Sequence, residues 1–161
     1  MPNQLDIEDT LRRLREAHGH GGGVWATENQ WRHLLESAHT GTISMISLGV
    51  LKETFDTTGS DYLLETFPLL KRLGAVYHYM GDVESLWQGE DNVDWDFFMI
   101  LTFPNRGAIV DLFLDPAYIR VHKLREQSLA RVRNYLVYPS AAASAVQQLP
   151  AEYHSLFDLI A

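Results

Sequence analysis

The chain has 161 residues, 46% of them hydrophobic and 21% charged, a globular composition with enough apolar mass for a real core and too much for wholesale disorder. Its formal net charge of −8 argues against nucleic-acid binding and against attraction to an anionic membrane, both of which need a basic footprint. The absence of cysteine excludes disulfides, thiolate zinc sites and cysteine nucleophiles.

Residues 1–41 read as an N-terminal helical extension. Asp6 precedes Ile7, Leu11 and Leu14 at helical spacing, and this helix should stop at His18-Gly19. His20-Gly21-Gly22-Gly23 is a flexible joint. Thr27 is positioned as an N-cap with Gln30 three residues on, and Trp31, Leu34 and Leu35 give the next helix an apolar face before Gly41. The glycines, together with Trp25 and Trp31, which need burial, suggest a lid across a pocket mouth.

Residues 42–138 carry the fold. Residues 43–51 are an apolar run of strand length. Beyond Gly59-Ser60, the spacing of Tyr62, Leu63, Phe67, Leu70 and Leu73 predicts a helix, kinked or delayed by Pro68 and closed by Gly74 at C′. Residues 75–80 form a strand, a bend follows at Gly81-Asp82, and residues 83–87 continue as strand. A turn over 88–92 leads to a long strand over 95–103, which Pro104-Asn105-Arg106 breaks. Two helical runs divided by Asp115-Pro116 come next, and residues 135–138 make a short last strand. The order βαββαβ is the α+β, ferredoxin-like plan with a four-stranded antiparallel sheet. Residues 139–161 read as an Ala/Ser-rich linker and a short C-terminal helix with Tyr153, Leu156, Phe157 and Ile160 on one side. No run approaches the roughly 18 apolar residues of a membrane span or has the form of a signal peptide, so a cytoplasmic protein that binds no membrane is expected.

Such a sheet has helices on one face only, yet Phe97, Phe98, Met99 and Ile100 make its long strand apolar on both. Leaving a few hundred Å² exposed would cost several kcal/mol at roughly 25 cal/mol per Å². Two copies packed face to face would remove that cost, so a homodimer with an eight-stranded barrel is expected.

Trp95-Asp96 opening a strand, Pro104-Asn105-Arg106, Asp115-Pro116-Ala117-Tyr118, Arg125 seven residues after the tyrosine and Leu129 beyond it form a pattern. The strand around Met45 and the start of the second strand at Gly74 extend it. Over about residues 27–138 the chain resembles the dimeric α/β-barrel superfamily, and within it a bacterial domain family of unknown function. The chain departs from that family at Met45-Ile46-Ser47-Leu48-Gly49, where the family has Met-Leu-Asn-Leu-Leu. It departs again at Leu124, where the family has histidine; His122 is the nearest here.

Several residues could carry chemistry. His78, between two tyrosines, should face away from both, and an imidazole there could remove a proton alpha to a carbonyl. Cofactor-free cyclases and isomerases of the resembled superfamily place a His or Tyr between sheet and helices. Its other reading is an imidazole satisfied by one hydrogen bond. Tyr118, His122 and Arg125 share a helical face and could bind a carboxylate or polarise an enolate oxygen. Alternatively, Arg125 pairs with Asp96, Asp111 or Asp115 and only ties the helix down. Ser47, Tyr77, Trp95, Asp96 and Phe98 are the expected substrate-binding residues; Gly49, mid-strand, marks either the close approach of another backbone or a ligand, or space for Trp95 or Phe97.

His18-Gly19-His20 lacks the further ligands a metal needs and reads as a solvated loop, so no metal and no cofactor are expected. The superfamily also includes haem proteins, for which His78, His122 and His154 are the available axial ligands. The leading expectation is a cofactor-independent enzyme that cyclises, isomerises or oxygenates an apolar polyketide-like or aromatic substrate. Its alternative is a non-catalytic dimer that binds a small ligand or serves as an interaction module. Catalysis requires His78 and at least one of Tyr118, His122 or Arg125 to meet at a cavity of about 300 Å³ or more.

Overall fold

The computed structural model describes residues 4–90 and 92–138. Helices α1 (Gln4–His18) and α2 (Glu28–Glu36) precede β1 (Ile43–Leu51), α3 (Phe55–Arg72), β2 (Val76–Asp82) and β3 (Phe97–Phe103). Then come α4 (Arg106–Leu114), α5 (Pro116–Arg120), α6 (His122–Ser128) and β4 (Leu129–Val137). The sheet order is β2-β3-β1-β4 with every neighbouring pair antiparallel, which is the ferredoxin-like arrangement. The expected linker and C-terminal helix, with His154, lie outside the described residues.

Local chemistry accounts for most boundaries. Thr27 caps α2 through the complete capping box with Gln30, a device worth about 1 kcal/mol. Asn105 accepts from Ala108 N at the head of α4, and Asp115 accepts from Ala117 N ahead of Pro116, which starts α5 without needing an N–H. Helix α3 begins at Phe55, earlier than its apolar spacing suggests, and runs on through Pro68. Leu64 and Pro68 both lie on its exposed side, where solvent can take the carbonyl that proline leaves without a donor.

Two strands differ from expectation. Residues 83–87 are not strand: β2 ends at Asp82 opposite Phe97, no further β3 residue remains to pair with, and Trp87 stands 94% exposed. Strand β4 spans Leu129–Val137 rather than residues 135–138 alone. A register shift opposite Val50/Leu51 leaves Ala130 unpaired, so Leu129 and Val132 both turn toward the helices. Their three-residue spacing imitates a helix in the sequence.

One sheet face packs on the helices and builds the core with Phe97, Leu101, Phe103 and Leu129. Gly49 lies opposite Phe97 because a Cβ there would sit 2.1 Å from the phenylalanine ring. The N-terminal helices belong to the same core: Ile7, Leu11 and Leu14 are buried with Trp31, Leu34 and Phe113, each full burial contributing about 1.5–3 kcal/mol. Arg32 bonds Glu8 across the α1–α2 joint, and Arg106 reaches Leu34 O and Ser37 Oγ. Among the described residues no helix is long and apolar enough to cross a membrane.

Candidate functional site

Between the helix-bearing face of the sheet and α3 lies a cavity of about 90 Å³. Its apolar wall includes Met45, Phe97, Met99, Leu101 and Phe67; the helices contribute the polar groups of Tyr62, Thr66, Tyr118, Arg125 and Ser128, and the strands those of Ser47 and Asn134. A groove of about 780 Å³ runs beside it, between residues 22–37 and β4, and reaches the same Arg125.

Arg125 is the centre of the helix-borne polar groups. It projects from α6 and is only 8% exposed. Its Nη1 donates to Tyr62 Oη at 3.0 Å, and Tyr62 Oη lies 3.2 Å from Tyr118 Oη. Nε and Nη2 both donate to one oxygen, the Val24 carbonyl, at 3.3 Å each. The Trp25 ring lies against the same guanidinium, its centroid 5.3 Å from Cζ. No carboxylate of the described residues is within ion-pair distance of Arg125: Asp115 holds Arg72, and Asp96 accepts from Leu51 N. The tie-down pairing with Asp96, Asp111 or Asp115 is therefore not what the structure contains. Burial works to lower the guanidinium pKa, but the phenol oxygens of Tyr62 and Tyr118 outweigh it, and the net direction is upward. Arg125 is a buried, permanent cation. Burial, and then the neighbouring Tyr62, push Tyr118 well above the ordinary tyrosine range, so it remains a phenol donor.

The other polar groups fit this picture. Thr66 Oγ1 is buried at the cavity wall and has no hydrogen-bond partner among the described residues. Ser47 is buried and lines the same wall beside Asn134. The lining residues contain no carboxylate, imidazole or amine, and Arg125 is the one charged group among them.

A second cluster closes the site from outside. His18 Nε2 donates to Phe113 O at 2.6 Å, which leaves Nδ1 facing His122 Nδ1 at 3.0 Å. His122 Nε2 lies 3.1 Å from Glu126 Oε1, the atom that also accepts from Trp25 Nε1 at 2.9 Å. The rings of His18, Trp25 and His122 stack, with Trp25 and His122 centroids 4.0 Å apart. Burial lowers the pKa of His18, and the hydrogen bond from Trp25, followed by that from His122, lowers the pKa of Glu126.

The structure thus brings Tyr118 and Arg125 together at the cavity, although a break at Val121 puts them on α5 and α6 rather than on one continuous helix. His122 stands one layer outside, in the stack with Trp25. His18, expected in a solvated loop, is buried in that stack.

His78 is elsewhere. Its Nε2 lies 2.9 Å from Thr102 Oγ1, itself 2.7 Å from Ser44 Oγ, on the sheet face away from the helices. A bulge between Tyr77 and Tyr79 explains this. Tyr77 turns toward α3 and meets Phe67, whereas Tyr79 meets Phe98 on the open face with His78. The expected alternation around His78, and its convergence with Tyr118, His122 or Arg125, therefore fail.

Of the expected substrate-binding residues, Ser47 alone lines the cavity. Phe98 is on the open face. Asp96 holds the end of β1, accepting from Leu51 N and donating its own N–H to Gly49 O. Trp95 is buried with its ring 5.2 Å from the Arg133 guanidinium carbon. Sequence reasoning missed Tyr62, Thr66 and the Val24 carbonyl. Tyr62 was visible only as one apolar-periodic position, and a backbone oxygen leaves no trace in side-chain patterns. Among the described residues no group of three or more His, Asp or Glu could hold a metal.

No family model matches the chain, and no curated protein matches it. Solved structures do. RPA0582, a protein of unknown function from Rhodopseudomonas palustris, is 23% identical with a TM-score of 0.67, covering 74% of this chain and 98% of that one. Its methylated form gives 22% and 0.68, over 75% and 96%. A DABB-family protein with a ferredoxin-like fold (mll5499) from Mesorhizobium loti is 14% identical with a TM-score of 0.48, over 63% and 99%. At these identities the likeness is one of fold.

Proposed function

We propose that this chain binds a small, apolar, oxygen-bearing molecule in the cavity between the sheet and α3, with the oxygen received by Arg125. The observation that carries this reading is the buried guanidinium on a largely apolar cavity, flanked by two phenols and by no carboxylate of the described residues. An apolar pocket with a few convergent polar groups is the usual anatomy of a ligand site. Donors aimed at one point in a water-poor space also stabilise an enolate, the charge that develops in cyclisation or isomerisation by proton transfer at carbon. Arg125, Tyr62 and Tyr118 make the electrophilic half of such a reaction.

The test is deuterium incorporation beside the carbonyl of acetophenone in D2O, followed by NMR for the wild type and for Tyr118→Phe. Exchange that the wild type accelerates and the variant does not supports catalysis. Binding without accelerated exchange leaves a non-catalytic ligand-binding protein, a reading favoured by His78 standing on the opposite sheet face.

The open sheet face supports a homodimer. Ile46, Leu48, Phe98 and Ile100 form a contiguous apolar strip there, only partly covered in one copy. A second copy laid sheet to sheet would bury that strip.

A further inference from the structure

Accepting the cavity as the ligand site, we infer that its ligand is an apolar carboxylate, and that the Val24 carbonyl occupies the carboxylate's position on Arg125 until the ligand displaces it. Arg125 offers Nε and Nη2, the edge of its fork that a carboxylate grips with two oxygens. A single neutral oxygen now takes both donors, at 3.3 Å each. Charge-assisted bonds of this type normally measure about 2.7–2.9 Å, so the carbonyl is a loose substitute for an anion. A buried cation with no counter-charge among the described residues favours any ligand that supplies one. Thr66 Oγ1, buried without a partner at the cavity wall, is a second group that a ligand oxygen would satisfy.

The carbonyl sits at the tip of a short hydrogen-bonded turn. Gly22 N donates to Trp25 O and Trp25 N to Gly22 O, closing a two-residue turn with Gly23 and Val24 at its tip. Glycines with positive φ lead into it at Gly19 and Gly21. The cavity of about 90 Å³ by itself admits only a few heavy atoms. Arg125 also lines the groove of about 780 Å³, of which residues 22–27 form one wall, so the guanidinium stands between cavity and groove with the Val24 carbonyl on its groove side. The overall charge of −8 repels anions from the rest of the surface, so carboxylate affinity has to come from a local cation.

The experiment compares benzoate with benzamide, a neutral molecule of nearly the same shape, on the full-length protein by titration calorimetry. Amide hydrogen exchange is followed over residues 19–27. Benzoate binding at least tenfold tighter than benzamide, with faster exchange in that segment, is the expected result. Equal binding of the two overturns the carboxylate assignment and leaves the cavity reading standing. Binding of neither at millimolar concentration removes both. Tight benzoate binding with unchanged exchange overturns the displacement. A lid variant adds an independent arm. A Cβ on Gly21 would lie 2.2 Å from Ala26 O, so Gly21→Ala forces the turn out of place. It should bind benzoate severalfold tighter, because the competing carbonyl is weakened. Unchanged or weaker binding overturns the displacement.

Discussion

Replacing Arg125 by methionine separates a ligand-holding charge from a structural tie. The substitution keeps an unbranched apolar stem and removes the guanidinium. It deletes the donors to Val24 O and Tyr62 Oη. Tyr62 keeps Tyr118 as a partner, so the chief loss is the orphaned Val24 carbonyl, about 1–3 kcal/mol. Against this stands the relief of desolvating a cation with no described carboxylate beside it, itself several kcal/mol before its hydrogen bonds offset part of it. The two nearly cancel, and the variant should unfold in urea within about 1 kcal/mol of the wild type. That corresponds to a Tm change of about 2–4 °C for a chain of this size. Benzoate at a hundred times its Kd should stabilise the wild type by about 2.7 kcal/mol and the variant not at all. Breaking a true buried ion pair costs about 3–5 kcal/mol, so a loss of that size would refute the account of Arg125 as an unpaired, ligand-directed charge.

Thr66→Val removes a buried hydroxyl that has no partner among the described residues and should raise stability by about 1 kcal/mol while weakening ligand binding; urea titration and calorimetry read the two effects. Gly49→Ala drives a methyl into the Phe97 ring and should cost about 1–3 kcal/mol by chemical denaturation. Ile100→Lys on the open face should convert a dimer to a monomer by light scattering, and a wild type already monomeric at high concentration ends the dimer proposal. Acidification should destabilise the fold in two stages. The lowered pKa of His18 means its contribution is full above the ordinary value of 6.5 and declines as pH falls below it, and the lowered pKa of Glu126 adds a second loss as pH falls through the carboxylate range. Thermal melts between pH 7 and 4 check this, and a stability flat across pH 6.5 to 5 contradicts the buried, neutral His18.

Local chemistry was legible in the sequence and tertiary geometry was not. Thr27 with Gln30, Asp115 with Pro116, and the apolar run of β1 each act within a few residues, and each stands where its pattern put it. Gly49 was readable as a close approach, with Phe97 as one of its two named neighbours. The misreadings at β4 and His78 share one cause. A bulge adds a residue to one strand, and nothing in Ala130 or His78 announces that its neighbours will stop alternating. Arg125 was found through the Tyr118-to-Arg125 spacing, but its partner is the carbonyl of a residue 101 positions away. Backbone oxygens are the same in every residue, so composition and periodicity could only propose the aspartates.

The bulge at His78 has a consequence for the free protein as well. Strand β2 is an outer strand, with Val76, Tyr77, Tyr79 and Met80 exposed along it. A regular strand with that sequence would present an evenly spaced row of N–H and C=O groups flanked by apolar side chains, a template for another chain to extend. The extra residue breaks that spacing at mid-strand. The border is thereby a poorer template for an intermolecular sheet than its apolar sequence alone would make it.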